Sequence, residues 1–333
     1  MDKKKFLKLV KESINGTQSK DYYAQMLRTI WKLSHENPPT EDLKLINTSL
    51  KELRYTSKIL APYKNHRKVT IFGSARIHKG TVTYNQAQDF SKHMVESGFM
   101  VITGAGPGLM EAGNEGAGRK NSFGFNIKLP FEQHPNPVID KDPKLINYKY
   151  FFTRKLAFVK ETDAVVVFPG GFGTHDEAYE VLTLTQTGKS APMPIIFIDK
   201  PGGTYWKTWE KYIKGNLLDN KLVSEEDMCL FKITDKIDEA YSYIEHFYAN
   251  YHSLRYIKEI LVIRIQRDIP QKEIQKLNEE FKDIISEGEI KLTKAYPAEK
   301  DESELLHLKR LSFNFNRRNF GRLHQLVDRI NKF

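Results

Sequence analysis

Residues Phe168 to Glu177 read F-P-G-G-F-G-T-H-D-E, and the residues on either side of them decide the fold. Before them, T-D-A-V-V-V-F (Thr162 to Phe168) is a continuous apolar, β-branched run, the pattern of a strand buried on both faces of a parallel sheet. After them, E-A-Y-E-V-L-T-L-T-Q-T (Glu177 to Thr187) reads as a helix. Glycines 170, 171 and 173 at this strand-to-helix switch free the backbone for close approach, and Thr174 is placed to cap the helix. Backbone N–H groups and the positive helix end then offer a seat for an anion, phosphate foremost. Glu177, about one turn into the helix, sets an acid beside that seat. A phosphate cradle with an acid is a candidate active site.

Working outward, further short apolar runs occur at Lys68–Phe72, Phe99–Thr103, Phe123–Ile127 and Pro194–Ile198, with helix-length segments between them. This alternation predicts an α/β fold, a doubly wound parallel sheet with helices on both faces. Such sheets hold ligands beyond the carboxyl ends of their strands, near the topological switch point. The loops Gly73–Arg76, Gly104–Gly108, Pro169–Thr174 and Asp199–Gly203 are therefore the ones expected to carry chemistry. Residues 1–65 have helical spacing and read as a helical N-terminal extension, including Phe6, Leu7, Leu9, Val10 and Trp31, broken at N-P-P-T (Asn37 to Thr40). Residues 66–252 form the expected core. Residues 253–333 read as a small C-terminal α+β unit in the order β-α-β-β-α: Glu259–Ile265, Lys272–Ile285, Gly288–Lys294, Arg310–Phe315 and Phe320–Ile330.

The chain has 333 residues, 40% hydrophobic and 28% charged, which suits a globular protein with a sizeable core. No apolar run is long enough to span a bilayer, and the first residues carry no signal-peptide pattern. Cys229 stands alone, which excludes a disulfide framework and a cysteine zinc site and fits a cytoplasmic setting. The net charge of +10 fits nucleic-acid binding or the collection of small anionic substrates. Because the lysines and arginines are dispersed, a solvated basic surface is the simpler reading. In Ser312 to Phe320 aromatics and arginines mix as in an RNA-binding strand, yet a strand followed by a basic helix explains them more simply.

T-G-A-G-P-G-L-M (Thr103 to Met110) is a second glycine turn, with Gly106 and Gly108 as candidate phosphate contacts. It departs from the dinucleotide fingerprint, since Leu109 occupies the third glycine position, and neither loop continues into Gly-Lys-Ser/Thr. Ser74 and Arg76 in G-S-A-R could reach a phosphate or sugar, and are equally explained as a capping serine and a surface arginine. Arg154 and Lys155 interrupt an otherwise apolar helix, F-F-T-R-K-L-A-F, just before the glycine-rich strand, which fits one of them pointing into the cleft. Arginine suits bidentate recognition of phosphate or ribose oxygens. His134, His175 and Asp176 match no metal-ligand spacing, and there is no H-E-x-x-H and no G-x-S-x-G elbow.

Arg154-Lys155 followed by P-G-G-F-G-T-H-D-E, with G-A-G-P-G-L-M upstream, resembles the LOG (Lonely Guy) family, Rossmann-like phosphoribohydrolases often labelled possible lysine decarboxylases. The resemblance covers about Lys68 to Tyr251. It implies hydrolysis of the N-glycosidic bond of a nucleoside 5′-monophosphate, without metal or other cofactor, by a homodimer or larger homo-oligomer. It places the catalytic arginine on Arg154, the catalytic glutamate on Glu177 and the phosphate loop on Gly170, Gly171, Gly173 and Thr174. Further substrate contacts fall on Thr183, Lys155 and Glu132. His175-Asp176 departs from the family's Leu-Glu, which bears on base preference. The competing class is a nucleotide-binding regulator that retains the cradle without turnover; no membrane partner is expected, and nucleic acid is disfavoured.

Overall fold

The computed structural model describes residues 20–129 and 134–333, together with Lys5, Lys8 and Glu12. Phe6, Leu7, Leu9, Val10 and Glu132 lie outside the described residues. The chain divides into two compact units, Met1–Arg54 and Tyr55–Phe333. Helices Lys20–Glu36 and Thr40–Leu60 are separated at Asn37, whose φ of 44° precedes two prolines.

The five apolar runs and two further segments form the strands of one parallel sheet: β1 (Lys68–Phe72), β2 (Met100–Thr103), β3 (Ser122–Ile127), β4 (Leu145–Tyr148), β5 (Ala164–Val167), β6 (Ile195–Ile198) and β7 (Lys232–Thr234). Their order is β4-β3-β2-β1-β5-β6-β7. The chain thus builds outward from β1 to β4, then returns to the other side of β1 for β5. Every residue of β1, β2, β3, β5 and β6 is buried, as strands covered on both faces require. Alternate side chains feed two cores: Phe72, Phe125 and Val165 on one face with Trp206, and Ile71, Val101 and Val166 on the other with Phe90. This is a doubly wound Rossmann-like sheet. Its switch point lies between the carboxyl ends of β1 and β5, where such folds open a crevice.

β4 and β7 were not legible as strands. They are the two edges, only four and three residues long, and L-I-N-Y and K-I-T carry the polar residues that edge strands use.

The C-terminal sheet differs from the sequence expectation by one strand. Strands β8 (Tyr251–Ile257), β9 (Ile260–Ile265), β10 (Ile285–Thr293) and β11 (Lys309–Phe315) pair antiparallel in the order β10-β11-β9-β8. With helices Gln271–Glu280 and Phe320–Ile330 the unit is β-β-α-β-β-α. The missed strand enters through the tight turn Lys258-Glu259, which lacks the Gly, Asn or Asp that marks such hairpins, although Lys258 adopts φ 55°. Phe313 and Phe315 are each 3% exposed in the core of this unit. They offer no stacking surface to a nucleic acid.

Among the described residues no helix is long and apolar enough to cross a membrane, and no group of three or more His, Cys, Asp or Glu could hold a metal ion.

Candidate active site

The glycine turn after β5 folds somewhat differently from its reading in the sequence. The helix begins at Phe172, ahead of the Thr174 expected to cap it, and runs to Gln186 with Gly171 as its N-cap. No side chain caps it. Thr174 is buried in the first turn, where its hydroxyl lies so close to Gly170 that a Cβ there would come within 2.1 Å. Gly170 is therefore fixed by packing. Gly171 and Gly173 have no such neighbour: a Cβ on either would meet nothing within 4 Å. Both line a cleft of about 790 Å³, so the bare helix start faces open space. First-turn N–H groups have no acceptor within their own helix, and the macrodipole adds positive potential there.

The loop after β1 forms the opposite wall. Ser74 N–H donates to the Pro169 carbonyl at 3.2 Å, tying the β1 and β5 loops together. The loop after β2 packs behind it. Gly108, at φ 69°, would press any Cβ into the backbone of Ser74 and Ala75 at 2.5–2.8 Å, and Leu109 N–H donates to Ser74 O at 3.1 Å. Ala105 sits at φ 61°, a left-handed conformation held by the Thr103 hydroxyl, which accepts from its N–H at 3.0 Å. Asn136 donates to the Gly106 carbonyl at 3.1 Å.

Helix Phe151–Glu161 delivers Arg154 into the cleft. Its guanidinium lies 5.1 Å from the Phe151 ring centre and 5.6 Å from that of Phe158, the stacked setting arginine tolerates well. One nitrogen donates to Glu177 Oε1 at 3.3 Å, while Nε is buried without a partner among the described residues. Glu177 is 6% exposed. Burial pushes its carboxyl up to about 7, against the pull of the Arg154 and Lys155 charges. The result is a carboxylate poised near neutrality and an arginine with donors to spare.

Of the residues expected from the sequence, Ser74, Arg154, Gly170, Gly171, Gly173, Thr174 and Glu177 line this one cleft. Gly106, Gly108, Lys155 and Thr183 do not. The two glycines serve loop packing, Lys155 pairs with Asp176 at 2.8 Å and Glu180 at 2.7 Å, and Thr183 is exposed two turns farther along the helix. Tyr205, at the start of helix Tyr205–Tyr212, was missed. Its only signal was an aromatic-rich segment after β6, and the sheet order is what brings that segment beside the β5 loop.

Residues 108–244 match the family described as "Possible lysine decarboxylase", the label carried by the LOG family that the sequence motif resembles. Over 133 residues it is 28% identical to the pyrimidine/purine nucleotide 5′-monophosphate nucleosidase of Escherichia coli strain K12. That alignment covers 36% of this chain and 29% of the relative, so less than a third of the relative's length is represented. Among solved structures, the structural-genomics target TM1055 is 23% identical, with 54% of this chain and 98% of that one covered and a TM-score of 0.38. The molybdenum cofactor carrier protein of Chlamydomonas reinhardtii is 15% identical, with 54% and 96% covered and a TM-score of 0.38.

Proposed function

We propose that this protein hydrolyses the N-glycosidic bond of a nucleoside 5′-monophosphate, releasing the free base and ribose 5-phosphate. The observation that carries the reading is the pair of half-buried Arg154 and buried Glu177 beside a bare helix start at the sheet's switch point. The family and the nucleosidase relative point to the same chemistry.

In this reading the phosphate sits on the first-turn N–H groups of Phe172 and Gly173, with the Thr174 hydroxyl behind them. Arg154 extends its unused donors to phosphate or ribose oxygens. As the C1′–N bond lengthens, positive charge builds on the ribose, and the Glu177 carboxylate stabilises it. Glu177 then takes a proton from the attacking water, whose oxygen bonds to C1′; the base departs with the bonding pair and takes a proton from solvent, and Glu177 returns its own proton to solvent. Anchoring the remote phosphate lets binding energy position the sugar for this step. A decarboxylase working through a Schiff base would need a lysine in the cleft. The cations among its described lining residues are Arg76 and Arg154.

We further propose that the protein works as a homodimer or larger homo-oligomer. Phe151, Phe152, Leu156 and Phe172 are 51%, 52%, 49% and 97% exposed on the helices that frame the cleft. A second copy of the same surface would cover them symmetrically.

The 5′-phosphate provides the test. AMP is expected to be cleaved with a kcat/KM at least about a hundredfold above that of adenosine, because the seat's binding energy is lost with the phosphate. Equal cleavage of the two would overturn the phosphate-seat reading.

A further inference from the structure

Tyr205 stands outside the catalytic pair, yet its hydroxyl touches both ends of the glycine turn. It lies 2.5 Å from the Gly170 carbonyl oxygen and 2.7 Å from His175 Nε2. A carbonyl can only accept, so the single phenolic proton goes to Gly170. The same oxygen then accepts from His175, whose proton is thereby assigned to Nε2. Burial also lowers the His175 pKa, favouring the neutral ring.

Tyr205 is itself held firmly. The Asp199 carboxylate accepts from the backbone N–H groups of Lys200 at 2.8 Å and Trp206 at 3.3 Å. Gly203 admits that carboxylate, for a Cβ there would lie 2.2 Å from Asp199 Oδ1. Trp206 is fully buried and donates from Nε1 to the Ile198 carbonyl at 3.2 Å. The fixed point is therefore the end of β6, and Tyr205 transmits it to the turn after β5.

We propose that Tyr205 and His175 act as a positioning clamp. Their hydrogen-bond chain, His175 to Tyr205 to Gly170, fixes the shape of the turn that receives the substrate's phosphate. Neither residue is assigned a part in bond breaking. The glycines at 171 and 173 leave the turn free to take other shapes, and the clamp selects the one whose N–H groups converge on the seat. This inference rests on the phosphate-seat reading above.

Calorimetric titration with ribose 5-phosphate tests it without turnover. Tyr205→Phe keeps the ring against Trp206, whose centroid is 4.7 Å away, and removes only the hydroxyl. It is expected to weaken binding on the order of tenfold, since a carbonyl and an N–H both lose their partner. His175→Leu is expected to match it, and His175→Gln, whose amide N–H has similar reach, to restore most of the affinity. The double variant Tyr205→Phe/His175→Leu is expected to bind no worse than either single one, because both break one chain. With AMP, KM should rise in Tyr205→Phe while kcat at saturation changes far less. A Tyr205→Phe protein that binds ribose 5-phosphate like the wild type would overturn the clamp alone, as would His175→Gln behaving like His175→Leu. Wild-type protein that binds no ribose 5-phosphate would overturn the seat itself, and the clamp with it.

Discussion

Glu177 carries the chemistry at the scale of single residues. It accepts a hydrogen bond from Arg154 at 3.3 Å, and burial outweighs that partner's charge, pushing its carboxyl up to about 7. The form that stabilises the ribose cation and draws a proton from water is the carboxylate. kcat/KM should therefore climb about tenfold per pH unit below pH 7 and level off above it. Arg154→Gln removes the cation that holds Glu177 down, so in that variant the rising limb should move to higher pH; a limb that stays in place would show that the pair is not coupled. Glu177→Gln keeps the shape without the charge and should cut base release by about 10²–10⁴ while leaving nucleotide affinity nearly intact. Turnover near the wild-type level in that variant would remove Glu177 from the mechanism. The raised pKa also bears on folding. Its stability contribution is full below the ordinary value of 4.5 and is lost as pH rises through about 7. Arg154 and Glu177 were legible in the sequence because both break a local rule: a cation in an apolar helix and an acid beside a glycine turn. Tyr205 broke none, being one aromatic among several.

At the scale of elements, the glycine turn separates packing from ligand space. Gly170→Ala drives a methyl group into Thr174 and should lower the melting temperature and binding together. Gly173→Ala meets no neighbour, so the fold should keep its melting temperature while KM for AMP rises on the order of tenfold or more. If Gly173→Ala instead left KM unchanged, the first-turn N–H groups would not be the phosphate seat. The same distinction explains what could be read in advance. The central strands β1, β2, β3, β5 and β6 announce themselves because burial on both faces demands unbroken apolar runs. The edge strands β4 and β7 face no such demand. The helix starts ahead of its expected Thr174 cap because Phe172-Gly173-Thr174 has the composition of a loop.

For the whole molecule, sheet order turns scattered motifs into one site: the loops after β1 and β5 meet because those strands are neighbours at the switch point. The order was not legible in the sequence beyond the rule that such folds have a switch point, since strand adjacency is a long-range choice. The exposed apolar residues on the helices framing the cleft, Phe151, Phe152, Leu156 and Phe172, bear on assembly. Light scattering at micromolar concentration should give a multiple of 38.7 kDa, and Phe152→Glu with Leu156→Glu should shift it toward the monomer. A wild-type mass that stays at 38.7 kDa as concentration rises would rule the oligomer out. The central claim is the reaction, and product analysis reaches it most directly. Purified protein is incubated with AMP, GMP, IMP, CMP and UMP in turn, and both products are quantified by chromatography. The account predicts free base and ribose 5-phosphate in equal amounts from at least one nucleotide, with both reduced by about 10²–10⁴ in Glu177→Gln. Release of inorganic phosphate and nucleoside, or no turnover of any of the five by wild-type protein, would contradict it.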